Sequence, residues 1–383
     1  MPTTLADRIA LTGGRSSGFD YLRIGLALAV ACSHVISTTY GKAVMDAVYL
    51  TWWRIPLNAI LPMFFALSGF LVAGSLERCA RLTSFLGLRV IRIVPALAVE
   101  VLISALVLGP LLTVSPLADY FTAAQFRAYF LNILGEIHFL LPGLFGTLPY
   151  PHIVNQQLWT IPYELQCYAE ISLLALIGMR RWPVIAIVTP IGTTLIYALG
   201  HILEKGLFAP TELTEAPGYF FVWAFLWGVA LFVYRDRMRW SASWCAAAAV
   251  IGFGSLAIGG LASYLMPAAL AYVTVMLGLS NLRRVRFLEH ADCSYGIYLY
   301  HWVVMQTVMM LAPRIWWVNL AISLPVTVAL AMASWYLIEK RALALRHPIM
   351  AADRGAPSWA SRGVTVFLAV AVVVAVVFRF LPG

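Results

Sequence analysis

Long apolar runs, cut at intervals by arginine, proline and glycine, fill the chain from about residue 20 to its end. Eleven of them are long enough to form helices that cross a hydrocarbon core of about 30 Å. They lie near 20–38, 54–76, 84–111, 157–178, 183–200, 217–234, 241–259, 262–280, 293–311, 315–338 and 364–381. The predicted fold class is all-α, a polytopic transmembrane helix bundle. Ten of the helices place residues 1–340 in one membrane domain. Residues 341–363 read as a polar cytoplasmic linker, and 364–383 as an additional C-terminal transmembrane helix with no polar residue before Arg379 except Thr365. Residues 112–156 break the pattern. They are rich in aromatic, proline and glycine residues and too apolar for a solvated connection, so they are expected to pack back on the bundle as short or re-entrant helices lining a cavity. No internal repeat is visible.

Composition sharpens this. The 383 residues are 62% hydrophobic and 11% charged, with mean hydropathy +0.85, whereas a soluble domain is about a quarter charged. A net charge of +9 invites a nucleic-acid partner, but the cations sit in short loops between apolar runs, as topology signals do. With a cytoplasmic N-terminus, 20 of the 26 lysines and arginines fall on the cytoplasmic side, which favours N-in and, with eleven spans, C-out. Residues 1–19 carry Arg8 and Arg15 but no apolar core, so the first span is expected to serve as its own targeting signal. The five cysteines, Cys32, Cys79, Cys167, Cys245 and Cys293, form no metal-ligand spacing and read as reduced packing residues. No metal site is expected, and the signatures of soluble hydrolases, kinases, zinc proteases and dinucleotide enzymes are absent as usable motifs.

A few ionisable residues interrupt the apolar runs, where they are costly and read as functional by default. Arg23 and His34 lie eleven positions apart, about 1100° of helix and roughly 20° past three turns, so they share one face with a rise of about 16 Å between them. His34 is a candidate general base; the competing reading is a core histidine bonded to a neighbouring helix. Glu164, in LWTIPYELQCY, is expected at the depth of His34, where it could orient the imidazole; binding a substrate hydroxyl or capping a turn near Pro162 are the alternatives. Glu170, about 120° away, is expected to pair elsewhere. Arg89 and Arg92, one turn apart at the start of the third run, suit phosphate groups, although cationic helix ends are also plain topology signals. Glu100 falls on nearly the face of Arg89, as a structural group or part of the same cavity. Ser68 and Gly69 permit close helix approach. Ser294, Tyr298 and His301 form one polar face that must look inward, lining a path or bonding between helices.

In their order along the chain, FDYLRIGLALAVACSHV, FFALSGFLVAG, LRVIRIVPAL, VNQQLWTIPYELQCY and LEHADCSYGIYLYHW resemble the membrane acyltransferase-3 family, which includes O-acetyltransferases of bacterial surface polysaccharides. The resemblance covers roughly residues 18–340. An arginine and a histidine with ten residues between them, together with SGF, Arg-x-x-Arg-x-x-Pro and the LW…E segment, make it specific. Tyr21 and Ile24–Gly25 depart from the small, glycine-rich sequence frequent in the family, and IPYE stands where LSVE is frequent. No C-terminal extracytoplasmic hydrolase-like domain is expected.

The resemblance implies a multi-pass protein of the bacterial inner membrane that moves an acyl group, most simply acetyl, from cytoplasmic acyl-CoA to a hydroxyl of a glycan or glycolipid at the outer side. His34 and Glu164 would be catalytic, and Arg23, Arg89 and Arg92 would bind the donor. Ser68, Trp159, Tyr163, Tyr298 and His301 would bind substrate. Acyl-CoA (acetyl-CoA) is then a donor substrate with no permanently bound cofactor, and the partners are the acceptor and the lipid bilayer, without nucleic acid. The competing class is a proton-coupled transporter or exporter using His34, Glu100 and Glu164 as a relay; an inverted repeat or second broken helix would favour it, and neither is evident. An inactive family member acting as a sensor or scaffold is the third reading, against which the intact Arg23, His34, Arg89 and Arg92 stand.

Overall fold

A computed structural model describes residues 3–14, 16–206, 217–283 and 292–354. The expected span 364–381 and Arg15, Arg284, Arg286, Arg362 and Arg379 lie outside the described residues. The described chain is helical; its only extended pairings are two isolated bridges, Thr4 with Arg239 and Leu140 with Ile153. We number the helices α1 Leu5–Leu11, α2 Ser17–Tyr40, α3 Lys42–Tyr49, α4 Arg54–Arg78, α5 Leu82–Ile103, α6 Gly109–Leu112, α7 Leu117–Thr122, α8 Ala124–Tyr129 and α9 Ile161–Leu176. There follow α10 Ile185–Lys205, α11 Gly218–Val233, α12 Ala242–Ile258, α13 Met266–Gly278, α14 Ser294–Leu311, α15 Trp316–Ser334, α16 Lys340–Ala344 and α17 Arg346–Arg354. Among the described residues, six helical runs are long and apolar enough to cross a membrane: Ser17–Tyr40, Arg54–Arg78, Leu82–Leu112, Ile185–Glu204, Gly260–Gly278 and Trp316–Asp353. Two shorter apolar helices are α11 and α12.

α4 and α11 form the centre. Both are apolar all round, as a helix without a solvent face must be, and most of their side chains are buried. Glycine lets them meet: a Cβ on Gly69 would lie 2.0 Å from the Phe225 carbonyl oxygen, and one on Gly228 2.2 Å from that of Ala66. Backbone contact this close is how helices associate where lipid removes the hydrophobic drive. The outer helices instead expose large apolar side chains, among them Leu195, Leu203, Val250, Ile258 and Leu337. In hydrocarbon such a surface is no liability.

The apolar connection 112–156 packs back on the bundle as expected, through α7, α8 and a tight turn at Phe130–Leu134, with Tyr120, Tyr129, Leu144 and Val154 fully buried. Polar side chains fasten it. Glu100 accepts from Ser104 Oγ at 2.7 Å and from Asn155 Nδ2, which also bonds the Tyr129 hydroxyl at 2.6 Å. The Tyr120 hydroxyl donates to the Ala105 carbonyl (2.7 Å) inside a π-helical turn, Ser104–Leu108. From α14, Gln306 donates to the carbonyls of Tyr150 and Ile153, and Trp302 to that of Ile153. Every one of these buried donors would be expensive left unpaired in an apolar interior.

Both ends of the described chain dock on one end of the bundle. Leu5 N–H donates to the Met238 carbonyl and Arg8 Nε to that of Leu279. The hydrogen bonds of the Thr3 backbone and hydroxyl and of Thr4 hold the Asp7 carboxyl down at about 2. Residues 341–354, the first part of the expected linker, are helical over α16 and α17. Asp353 accepts from the backbone N–H of Ala80 (2.7 Å) and Arg81 (2.8 Å) at the start of α5.

Candidate active site: two adjoining cavities

α2 carries the site on one face, as its spacing requires. Arg23, near its first turns, lines one cavity; His34, three turns on, lines a second. The cavities adjoin, because Leu61, Thr160 and Tyr298 line both. The Tyr298 hydroxyl donates to the Gln157 carbonyl at 2.6 Å, so its oxygen accepts from Thr160 Oγ1 at 2.5 Å. This hydroxyl pair and Leu61 form the partition.

The arginine cavity is charged. Arg23 Nη1 lies 3.2 Å and Arg92 Nη2 2.7 Å from the same Asp292 oxygen, while the Ser294 hydroxyl donates to the other at 2.6 Å. Arg92 Nη1 is 3.8 Å from Glu339 Oε2. Glu339 ends a π-helical turn, Trp335–Glu339, a distortion that often re-aims a functional side chain. Arg89 differs. It donates to Ser75 Oγ at 3.0 Å and lies over the rings of Phe85 and Tyr168, with no carboxylate partner among the described residues. Ser68 lines this cavity, beside Gly69, which makes the helix contact.

The histidine cavity is uncharged. His34 Nδ1 lies 2.7 Å from His301 Nε2, and the Trp302 ring stands at 82° to the His34 ring with centroids 5.0 Å apart. Ser33, Ser37, Tyr150, Gln156 and Trp159 complete much of the wall. Hydroxyls, amides and aromatic faces without a fixed charge suit a neutral polyhydroxylated ligand.

Three expected placements change. Glu164 does not meet His34. Its carboxylate accepts from the Tyr168 hydroxyl at 2.5 Å and lines the arginine cavity. The reason is depth: Thr160, just before α9, is already pinned at the partition, and one further turn, about 6 Å of rise, carries Glu164 beyond it. His301 and Tyr163 also differ from simple substrate contacts. His301 is fully buried behind His34, and Tyr163 lines neither cavity, packing against Trp159, Phe221 and the backbone of Gly218. Trp159 and Tyr298 do line cavities. Glu100 lines neither and belongs to the network that holds the outer connection; Glu170 accepts from Gln166 at 2.8 Å.

Asp292, Glu339 and Thr160 were not marked by the sequence. Asp292 stands two residues before α14, where an acidic residue reads as a helix-start preference. Glu339 falls in a run that reads as the polar end of a span. Neither pattern reveals an arginine 200 or more residues away.

The helical bundle thus holds a cation-lined cavity joined to an imidazole-lined one. Residues 16–336 match the acyltransferase-3 model, described as an acyltransferase domain, and the chain belongs to that family. It is a multi-pass membrane O-acyltransferase. Similar proteins include Nodulation protein 10 of Rhizobium leguminosarum bv. viciae, 30% identical over 376 residues that cover 89% of this chain and 96% of that protein. An O-acetyl transferase of Shigella phage Sf6 is 25% identical over 351 residues, 88% of this chain and 99% of that one. No solved structure matches significantly.

Proposed function

We propose that this acyltransferase moves an acetyl group from acetyl-CoA, entering from the cytoplasm, to a hydroxyl of a glycan or glycolipid at the outer face of a bacterial inner membrane. The observation that carries the reading is the pair of adjoining cavities. Arg89, with Arg23 and Arg92 beside it, offers guanidinium groups to the donor's phosphates. The pantetheine arm then runs along α2 and brings the thioester to the partition. The acceptor occupies the neutral cavity against Trp159 and Tyr150. His34 Nε2, the ring nitrogen not bonded to His301, takes the proton of the acceptor hydroxyl. The oxygen attacks the thioester carbonyl carbon, the C–S bond breaks, and the imidazolium returns its proton to the departing thiolate. Glu164 belongs to the donor side in this scheme, close to the arginines, rather than to the imidazole. The phage relative's name, an O-acetyl transferase, supports acetyl as the group transferred.

The test uses inverted membrane vesicles supplied with radiolabelled acetyl-CoA, from cells making the protein, His34→Ala or Arg89→Ala at equal level. Label is followed into glycolipid and polysaccharide fractions. We expect transfer to be lost in His34→Ala with acetyl-CoA binding retained. Transfer that survives in His34→Ala would refute the role of the base.

A further inference from the structure

His34 does not face its partner nitrogen by accident of packing. His301 is fully buried on α14, and its Nδ1 lies 2.9 Å from the Tyr298 carbonyl oxygen and 3.1 Å from that of Ile297, one turn earlier on the same helix. A carbonyl oxygen only accepts, so the proton of a neutral His301 must sit on Nδ1. Its Nε2 then carries a lone pair and can only accept. The facing nitrogen, His34 Nδ1 at 2.7 Å, must therefore be the donor. With both rings neutral, a single proton arrangement satisfies all of these contacts, and it leaves the His34 lone pair on Nε2, toward the cavity. The rings are 17° from coplanar with centroids 5.0 Å apart. That separation is close to the N···N distance plus two ring radii, so the contact is an in-plane N–H···N bond rather than a stack. Trp302 stands at 82° to the His34 ring, with centroids 5.0 Å apart, and packs against it.

We propose that His301 is a positioning residue that holds His34 in the Nδ1–H tautomer, the opposite of the Nε2–H form that a free neutral histidine side chain prefers. This rests on His34 acting as the base. The arrangement resembles in role the carboxylate that orients a catalytic histidine in hydrolase triads, where the wrong tautomer costs about 10⁴ in kcat, but here the orienting group is neutral. When His34 takes the acceptor proton on Nε2, its Nδ1–H remains bonded to His301. His301 is no onward relay. Its other nitrogen faces two carbonyl oxygens, which take no proton, so the proton gained by His34 stays available to the thiolate. Neither a core-filling imidazole nor a substrate ligand requires this one-way order of donors.

The experiment is a ¹⁵N spectrum of histidine-labelled protein in nanodiscs, with the His34 signals assigned by their loss in His34→Gln. It is combined with transfer kinetics of His301→Leu and His301→Gln. The expected spectrum shows His34 with Nδ1 protonated and Nε2 bare. His301→Leu removes the acceptor; the Nε2–H form should then appear, and kcat should fall about 100-fold or more with the KM for acetyl-CoA unchanged. Glutamine can still accept through Oε1, so His301→Gln should restore the tautomer and bring kcat back to within about tenfold of wild type. An Nε2–H tautomer in the wild-type protein overturns the proposal. So does full activity in His301→Leu, or a His301→Gln protein that binds acetyl-CoA normally yet is as slow as His301→Leu. Persistent transfer in His34→Ala would instead remove the base assignment, while the tautomer measurement would still report on the pair.

Discussion

The two cavities share a wall and little else. On one side, three arginines are held by Asp292, Glu339 and Ser75; on the other, two imidazoles, hydroxyls, amides and indole rings carry no opposed charges. On the proposed function, the difference lets one bundle handle two reactants of opposite character. A buried cation is costly without a partner; Arg23 and Arg92 are matched by carboxylates, whereas Arg89 has no carboxylate partner among the described residues. A neutral cavity needs no such compensation, and its specificity rests on hydroxyl and aromatic contacts.

Charge reversal at the unmatched arginine should divide the two cavities most sharply. In Arg89→Glu the KM for acetyl-CoA is expected to rise about 100-fold, equivalent to about 2.7 kcal/mol, with the acceptor KM unchanged; initial rates at varied donor would show it, and an equal rise for both substrates would break the division. Asp292→Asn comes next. It leaves Arg23 and Arg92 without their shared carboxylate, and because these side chains are about a quarter exposed (28% and 22%, with 25% for Asp292) the loss is expected near 1–3 kcal/mol, below that of a fully buried pair. A fall of about 5 °C in melting temperature would register it; an unchanged melting temperature would mean that solvent already screens the trio.

In the neutral cavity, Trp159→Ala should raise the acceptor KM about tenfold, the scale of one lost aromatic contact, and leave acetyl-CoA binding alone. If donor binding weakens instead, the cavities are assigned the wrong way round. The smallest effect is expected at the partition. Tyr298→Phe removes the hydroxyl that joins the Gln157 carbonyl and the Thr160 hydroxyl, which keep only their own 3.4 Å contact, costing about 1 kcal/mol. Acetyl-CoA hydrolysis in the absence of acceptor should rise about threefold as water crosses, measured as free thiol released. No rise would show that Leu61 and the packing around it suffice to keep the cavities apart.

The sequence contained the arginines of the charged cavity, but not the carboxylates that hold two of them. Arg23 and His34 share a face because eleven positions of any α-helix nearly close three turns, and Arg89 and Arg92 are neighbours for the same reason. The burial of the 112–156 connection followed from its composition, and Gly69 at a helix crossing from its size. Glu164 shows where such reasoning ends. Counting residues from the outer end of a span gave it the depth of His34, but Thr160, fixed by Tyr298, starts α9 deeper than the count assumes.

Local features are legible in the chain: which runs are helices, which side chains share a face, and which polar residues are too costly in lipid to be idle. Those depend on a 3.6-residue period and on solvation, both of which are written into neighbouring positions. Tertiary structure alone decided the pairs. His34 meets His301 across 267 positions, and Arg23 and Arg92 meet at Asp292 across 269 and 200. Contacts of that kind depend on the rotation and depth of each helix against the others. These are set by where glycines let backbones touch and where buried hydrogen bonds hold the outer connection, and no period within a single helix encodes them.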